Sequence, residues 1–267
     1  MHNNGGLTMS NENSFPLSSN QPELLISKMS ISQTPQSDSD FSLSEKDFQE
    51  IDAFVNQIDI TDSFLIIHYG RDCQIQIANI SNSISELIIK HDPQHIRESI
   101  RKVTQIINDF HSYRFSAKKS ISFKNRFKAD KKAVHKIKNE LDSQSLILDD
   151  YNDELLAFYS QLETLYITIT KYIIAGEKKL NQLKTGVLPE LKENSTTSIS
   201  SAQEYNNMMQ CINYFEDRIH SLCASQTNAL LQRKQISLQL NSNNQLKSVI
   251  SGIIDSTIPA FEQSGVI

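Results

Sequence analysis

The stretch Leu148–Tyr172, LDDYNDELLAFYSQLETLYITITKY, decides the fold. Leu148, Leu155, Leu162 and Ile169 recur every seven residues, and Tyr151, Phe158, Leu165 and Tyr172 fill the second apolar position of each heptad. That spacing keeps one apolar stripe on one side of an α-helix, so four such heptads predict a coiled-coil seam. The rest of the chain agrees. Among 267 residues there are 7 Gly, 6 Pro and no Trp, and both turn formers fall below their usual shares of about 7% and 5%. Pro16, Pro22 and Pro35 lie near the start, and no Gly occurs between Gly70 and Gly176. Sandwiches, barrels and doubly wound sheets need tight turns at short intervals, and turns draw on these two residues. The fold class expected is therefore all-α, an elongated bundle of long antiparallel helices with coiled-coil character.

Working outward from the heptads, Gly176, Gly186 and Pro189 are expected to mark the exit from that helix, and a Ser/Thr loop at 194–201 follows. A last helix carries Met208, Ile212, Phe215, Ile219, Leu222, Ala229, Leu230, Ile236 and Leu240, ending before Pro259. The connection from about Leu183 to Ser201 is long enough for a hairpin, which favours folding the heptad seam back on this last helix. Pairing with a second chain is the alternative. Toward the N-terminus, Pro93 to Phe110 reads as a helix with Ile96, Ile100, Val103 and Ile107 inward, and His91-Asp92-Pro93 breaks it from a helix over about Asp72 to Lys90. There Ile77, Ile80, Ile84, Leu87 and Ile88 share a face. A short helix from Thr61 or Asp62 ends at Tyr69-Gly70, with Gly at the C′ position. Ahead of it Phe48, Ile51, Val55 and Ile58 recur at helical spacing, after a capping box at Ser42 with Glu45 or Ser44 with Asp47. Residues 1–41, rich in Ser, Asn and Gln, cannot bury enough apolar surface to offset ordering entropy and are expected to be a disordered tail. Residues 42–267 then form one helical domain.

No run approaches the roughly 18 apolar residues that span a bilayer, and the N-terminus lacks the basic-then-apolar layout of a secretory signal. A cytoplasmic chain is the default. Cys73, Cys211 and Cys223 are odd in number and in no metal-binding spacing, so they read as reduced, buried thiols. The net charge of −5 conceals a segregation. Arg114, Lys118, Lys119, Lys124, Arg126, Lys128, Lys131, Lys132, Lys136 and Lys138 stand against Asp130 alone. Removing those eleven from the 26 basic and 31 acidic residues leaves 16 against 30, a net charge of −14 for the remainder.

Several phrases in this order resemble the TelA family of toxic-anion (tellurite) resistance proteins. They are Asp62–Gly70 with its aromatic-Gly pair, Tyr172–Leu180 (YIIAGEKKL) with Gly176 and Glu177, and Leu188-Pro189-Glu190-Leu191. Asp217–Leu222 with Arg218 and His220, Gln235-Ile236 with Asn243-Asn244, and Thr257-Ile258-Pro259 complete the set. The sequence departs from the family where Lys234 precedes Gln-Ile and Ser237 follows, and where Ala260-Phe261-Glu262 follows Pro259. The resemblance implies a divergent, C-terminally shortened member, bacterial and cytoplasmic. It implies an all-helical protein linked to tellurite resistance or cell-envelope stress.

No catalytic residue, metal site or cofactor is expected. His91 and His95 have the spacing of two helical ligands, but Pro93 stands between them and an exposed helix start explains them better. Cys211 and Cys223, twelve apart, sit about 120° apart around one helix and cannot act as a dithiol. A thiolate would be the nucleophile for oxyanion chemistry, and packing is the simpler role for all three cysteines. The basic run can bind an anion, an acidic protein or a membrane surface, or it can pair with acids of this chain or of a neighbour. Phe115, Phe123 and Phe127 could stack on bases, yet the Phe123–Phe127 spacing suits a packed helix face and makes nucleic acid a weak reading. Arg218 is expected to make a salt bridge to a neighbouring helix. The function expected is non-enzymatic protection against toxic anions, including at the cell envelope and peripheral to the inner membrane. The alternative is a coiled-coil scaffold whose segment 114–138 binds an acidic partner, with the oligomeric state open.

Overall fold

A computed structural model describes residues 43–116 and 121–264, the side chains of 114–123 excepted. Every regular element among the described residues is helical. They are α1 (Glu45–Val55), α2 (Ser63–His68), α3 (Arg71–Lys90), α4 (Gln94–Ser116), α5 (Ile121–Gln182), α6 (Leu188–Asn194), α7 (Ile199–Gly252) and α8 (Ile258–Ser264). A π-helical turn joins α5 to α6 (Leu183–Val187) and another joins α7 to α8 (Ile253–Thr257). The expected tail, and Ser42 with it, lie outside the described residues.

The chain divides into two compact units. Of the described residues, the first takes those up to Ser81 with Ser160–Arg233, and the second takes those from Asn82 to Tyr159 and those from Lys234 onward. In the first unit, Ser44 caps α1 through a capping box, its hydroxyl accepting from the Asp47 N–H while the Asp47 carboxylate accepts from the Ser44 N–H at 2.8 Å. Asp62 caps α2 by accepting from the N–H groups of Phe64 and Leu65, which satisfies donors that a helix start otherwise orphans. The core gathers Ile51, Ile77, Leu162, Ile169 and Leu222, all nearly or fully buried. In the second unit Ile84, Val103, Phe110, Val134, Leu141, Leu155, Ile236 and Phe261 do the same. Phe110, Phe127 and Phe261 form an aromatic triangle with ring centroids 5.0 to 5.4 Å apart, an edge-and-tilt geometry that ring quadrupoles favour.

The heptad residues are buried as the spacing predicts, Phe158 excepted, which is half-buried. In the first unit α5 and α7 run antiparallel. A Cβ on Gly176 would meet Ile219 at 2.7 Å, and Thr170 accepts from the Gln226 amide at 2.7 Å. In the second unit the same two helices are again antiparallel, with Asn152 against Asn243 and Asp149 against Lys247.

Three helix ends are corrected. Gly176 lies inside α5, and its missing side chain admits Ile219 rather than ending the helix. The exit expected at Gly186 and Pro189 is a π-turn followed by α6, so the only non-helical residues of the connection are 195–198. The helix expected to end before Pro259 likewise continues through a π-turn into α8. Proline inside an α-helix loses one hydrogen bond and its ring strikes the carbonyl four residues back. A widened turn just before Pro189 and Pro259 moves that carbonyl away, and Leu188 and Ile258 donate five residues back, to the carbonyls of Leu183 and Ile253. No helix among the described residues is long and apolar enough to cross a membrane.

Candidate functional site

Three of the family phrases, through Tyr69-Gly70, Tyr172 and Arg218, meet at the corner between α2 and α3. Gly70 ends α2 with φ +65°, and a Cβ there would lie 2.8 Å from the buried Leu222, so this corner requires glycine twice over. The preceding residue is held at both ends. The Tyr69 hydroxyl donates to the Tyr172 carbonyl at 2.7 Å, and the Tyr69 carbonyl accepts from Arg218 Nε at 2.7 Å. The Tyr69 ring meets Phe54, Tyr172 and Phe215 at centroid separations of 5.0 to 6.0 Å. Burial pushes the Tyr69 hydroxyl well above the usual range, so it stays a neutral donor. Arg218 thus pins a backbone carbonyl where a salt bridge was expected. Burial, and then the neighbouring Arg71 charge, lower its basicity. Gln74 adds a further tie to α7 through Ser221 and Ser225.

This corner encloses a cavity of about 40 Å³ lined by Phe54, His68, Tyr69, Arg71, Tyr172 and Phe215 among others. That is room for a few waters, far below the several hundred Å³ typical of ligand pockets. A larger open cleft of about 420 Å³ lies in the second unit between the α3–α4 turn (Asp92, Pro93) with the start of α4 (Arg97) and α7 (Gln239, Ser242). It brings together one cation and one carboxylate, with no nucleophile paired to a base.

The cysteines are free. Cys73 is buried, its thiol 3.4 Å from the Leu165 carbonyl, and burial pushes it up to about 12. Burial also raises Cys223, with Glu177 adding to the shift. Contrary to expectation, Cys211 and Cys223 are only half-buried. Among the described residues no group of three or more His, Cys, Asp and Glu is placed to hold a metal. His91 instead stacks on Tyr151 at 4.6 Å, and His95 lies 3.3 Å from Glu140.

The described residues of the predicted basic segment, 114–116 and 121–138, are helical, and the described side chains divide by environment. Arg126 sits over the Tyr113 ring at 4.5 Å and 3.6 Å from Asp130, while Lys131 lies 3.4 Å from Glu262. Lys124, Lys128 and Lys132 are exposed. The side chains of Arg114, Lys118, Lys119, Phe115 and Phe123 lie outside the described residues. Phe127 belongs to the aromatic triangle, as the packed-face reading of its spacing expects. Of the family residues, Gly176 and Arg218 meet the corner, whereas Glu177, Pro189 and His220 are exposed and Pro259 is half-buried. The sequence carried no signal for the Tyr69–Tyr172 hydrogen bond, whose partners are 103 residues apart. It hinted at a second polar cluster only through the Asn243-Asn244 phrase. There Asn243, 1% exposed, donates to Asn152 at 2.7 Å, while Asn152 donates to Asn244 at 3.3 Å and Gln239 to Asn243 at 3.2 Å.

Residues 51–267 match the family described as toxic anion resistance protein (TelA). The uncharacterized protein YaaN of Bacillus subtilis is 26% identical over 242 residues, covering 84% of this chain and 63% of YaaN. A TelA-like protein of Staphylococcus epidermidis is 23% identical over 246 residues, covering 86% of this chain and 65% of its own length. The chain thus spans a little under two thirds of these two relatives. No solved structure shows significant similarity to it. A match over most of the chain makes it a member of the TelA family.

Proposed function

We propose that this chain serves toxic-anion (tellurite) resistance without catalysing a reaction, protecting through macromolecular contacts at the cytoplasmic side of the cell envelope. The observation that carries the reading is the family match over residues 51–267. The chemistry of the site supports it. Reduction of an oxyanion by cysteine needs a thiolate, and Cys73 at about 12 is neutral at physiological pH. The turn chemistry of the Tyr69–Gly70 corner holds backbone, and the cavity there, about 40 Å³, has room for a few waters. Deleting the gene and measuring growth on tellurite and on envelope-active antimicrobials tests the role. Raised sensitivity to either is expected, and unchanged sensitivity to both contradicts it.

A second reading rests on the exposed Lys124, Lys128 and Lys132. These form a basic surface suited to an acidic protein or an anionic membrane. Capture on phosphatidylglycerol vesicles that fails at high salt, and fails after Lys→Glu reversal, is the result expected of it. Equal capture by the reversed variant counts against it.

A further inference from the structure

Along α5 within the second unit, charge is sorted by sign. Residues 124–138 hold seven Lys or Arg and one acid, whereas residues 140–154 hold six acids and no base. Some of these charges are already engaged inside the unit: Arg126 with Asp130, Lys131 with Glu262, Glu140 with His95, and Asp149 with Lys247. The others form a surface. Lys124, Lys128, Lys132 and Lys136 are exposed at four-residue steps, and so are Asp142, Leu146, Asp150 and Glu154. At about 100° per residue both ladders sweep the same arc of the helix, roughly 120° wide. Asn139, also exposed, falls at the middle of that arc and halfway between the ladders. Among the described residues none of these lysines and acids has an ion-pair partner.

A face with a basic half and an acidic half of equal step is complementary to itself when reversed. Turned about a two-fold axis at Asn139, Lys124 comes level with Glu154, Lys128 with Asp150 and Lys136 with Asp142 along the helix. Lys132 then lays its methylene stem on Leu146, which is 68% exposed. Each pair occurs twice, because a two-fold interface uses the same patch on both partners. We infer that the outer face of α5 over residues 124–154 is a self-association surface, on which a second copy of this chain packs antiparallel as a two-fold dimer. Lys128 with Asp150 and Lys132 with Leu146, each about 20° from the middle of the arc, come closest. Lys136 with Asp142 and Lys124 with Glu154 stand at opposite edges of the arc, act at longer range and are the first that salt screens. An isologous contact satisfies both halves at once and closes, so it yields dimers and not filaments. The inference gives the acidic partner of the second reading an identity and rests on that reading only in using the same lysines.

Sedimentation velocity of the full 267-residue chain tests it. At about 0.1 M salt a dimer is expected, with its dissociation constant rising roughly tenfold or more toward 1 M as the Debye length falls from about 10 Å to about 3 Å. The combined variant Lys124→Glu, Lys128→Glu, Lys132→Glu and Lys136→Glu is expected to be monomeric. So is the combined variant Asp142→Lys, Asp150→Lys and Glu154→Lys. Mixing the two is expected to restore a dimer, because an all-acidic face then meets an all-basic one. Circular dichroism checks that both remain helical, as substitutions of exposed side chains should leave them. A monomeric wild-type chain at low salt, a dimer that survives either reversal, a mixture that stays monomeric, or growth beyond the dimer each overturns the inference. Vesicle capture by a chain that does not self-associate would also overturn it while leaving the second reading in place.

Discussion

The Tyr69–Gly70 corner of the first unit and the outer face of α5 in the second unit use polar chemistry in opposite ways. At the corner, three side-chain donors are turned onto backbone. Tyr69 donates to the Tyr172 carbonyl, Arg218 to the Tyr69 carbonyl, and Gln74 to the Ser221 carbonyl. On α5, the charges that the second unit does not need internally are displayed in ladders of one sign and then the other. The first arrangement fixes a shape and the second is equipped for a partner. Side chains of the kind that suggest chemistry hold the structure at the corner, and the recognition we propose falls to ordinary surface lysines and carboxylates.

The contrast can be broken most forcefully through the cores. Phe110→Ala opens the aromatic triangle of the second unit and should cost about 3–5 kcal/mol, read as a lowered urea midpoint. A loss below about 1 kcal/mol would mean that Phe127 and Phe261 do not depend on it. In the first unit Gly70→Ala forces a positive φ on a side chain and drives a Cβ toward Leu222, for an expected loss of roughly 2 kcal/mol. Gly186→Ala is its control. Nothing lies within 4 Å of a Cβ there, so the change should be neutral or slightly stabilising.

Smaller effects sharpen the comparison. Asn243→Ala leaves the Asn152 amide short of a buried partner and should cost about 1–2 kcal/mol in the second unit. The least is expected from the charged edge of the first unit. Hydrogen bonds from Lys171 and then Ser44 hold the Asp47 carboxyl down to about 2, below its ordinary 3.8. A depressed carboxylate stabilises fully above its ordinary value and loses that contribution as pH falls through its folded value. The hold of Asp47 on α5 should thus fade between about pH 4 and about pH 2. Lys171→Met should move the Asp47 titration, followed by NMR, back toward 3.8. An unmoved titration would remove Lys171 as its cause.

Much of the fold was legible because period is local. Leu148, Leu155, Leu162 and Ile169 are buried where their spacing requires, and Ser44, Asp62 and Gly70 cap the elements that their types announce. Breaks were harder to read. Gly176 can signal a helix end or a close helix approach, and only the position of Ile219 distinguishes them. Pro189 and Pro259 could be read as stops because their π-turns leave no residue signature as plain as a cap. The site was legible as a set of phrases and not as contacts, since Arg218 reaches Tyr69 across 149 residues of chain. The basic run was visible as composition, but its division into internally paired and outward-facing charges depends on which side α5 turns to its neighbours.

The central claim, protection without cysteine chemistry, is tested most directly by tellurite tolerance in a strain whose only copy carries Cys73→Ala, Cys211→Ala and Cys223→Ala together. Tolerance is compared with wild type at matched soluble protein. Full tolerance is predicted. Loss of tolerance by a variant that is present and helical would contradict the account.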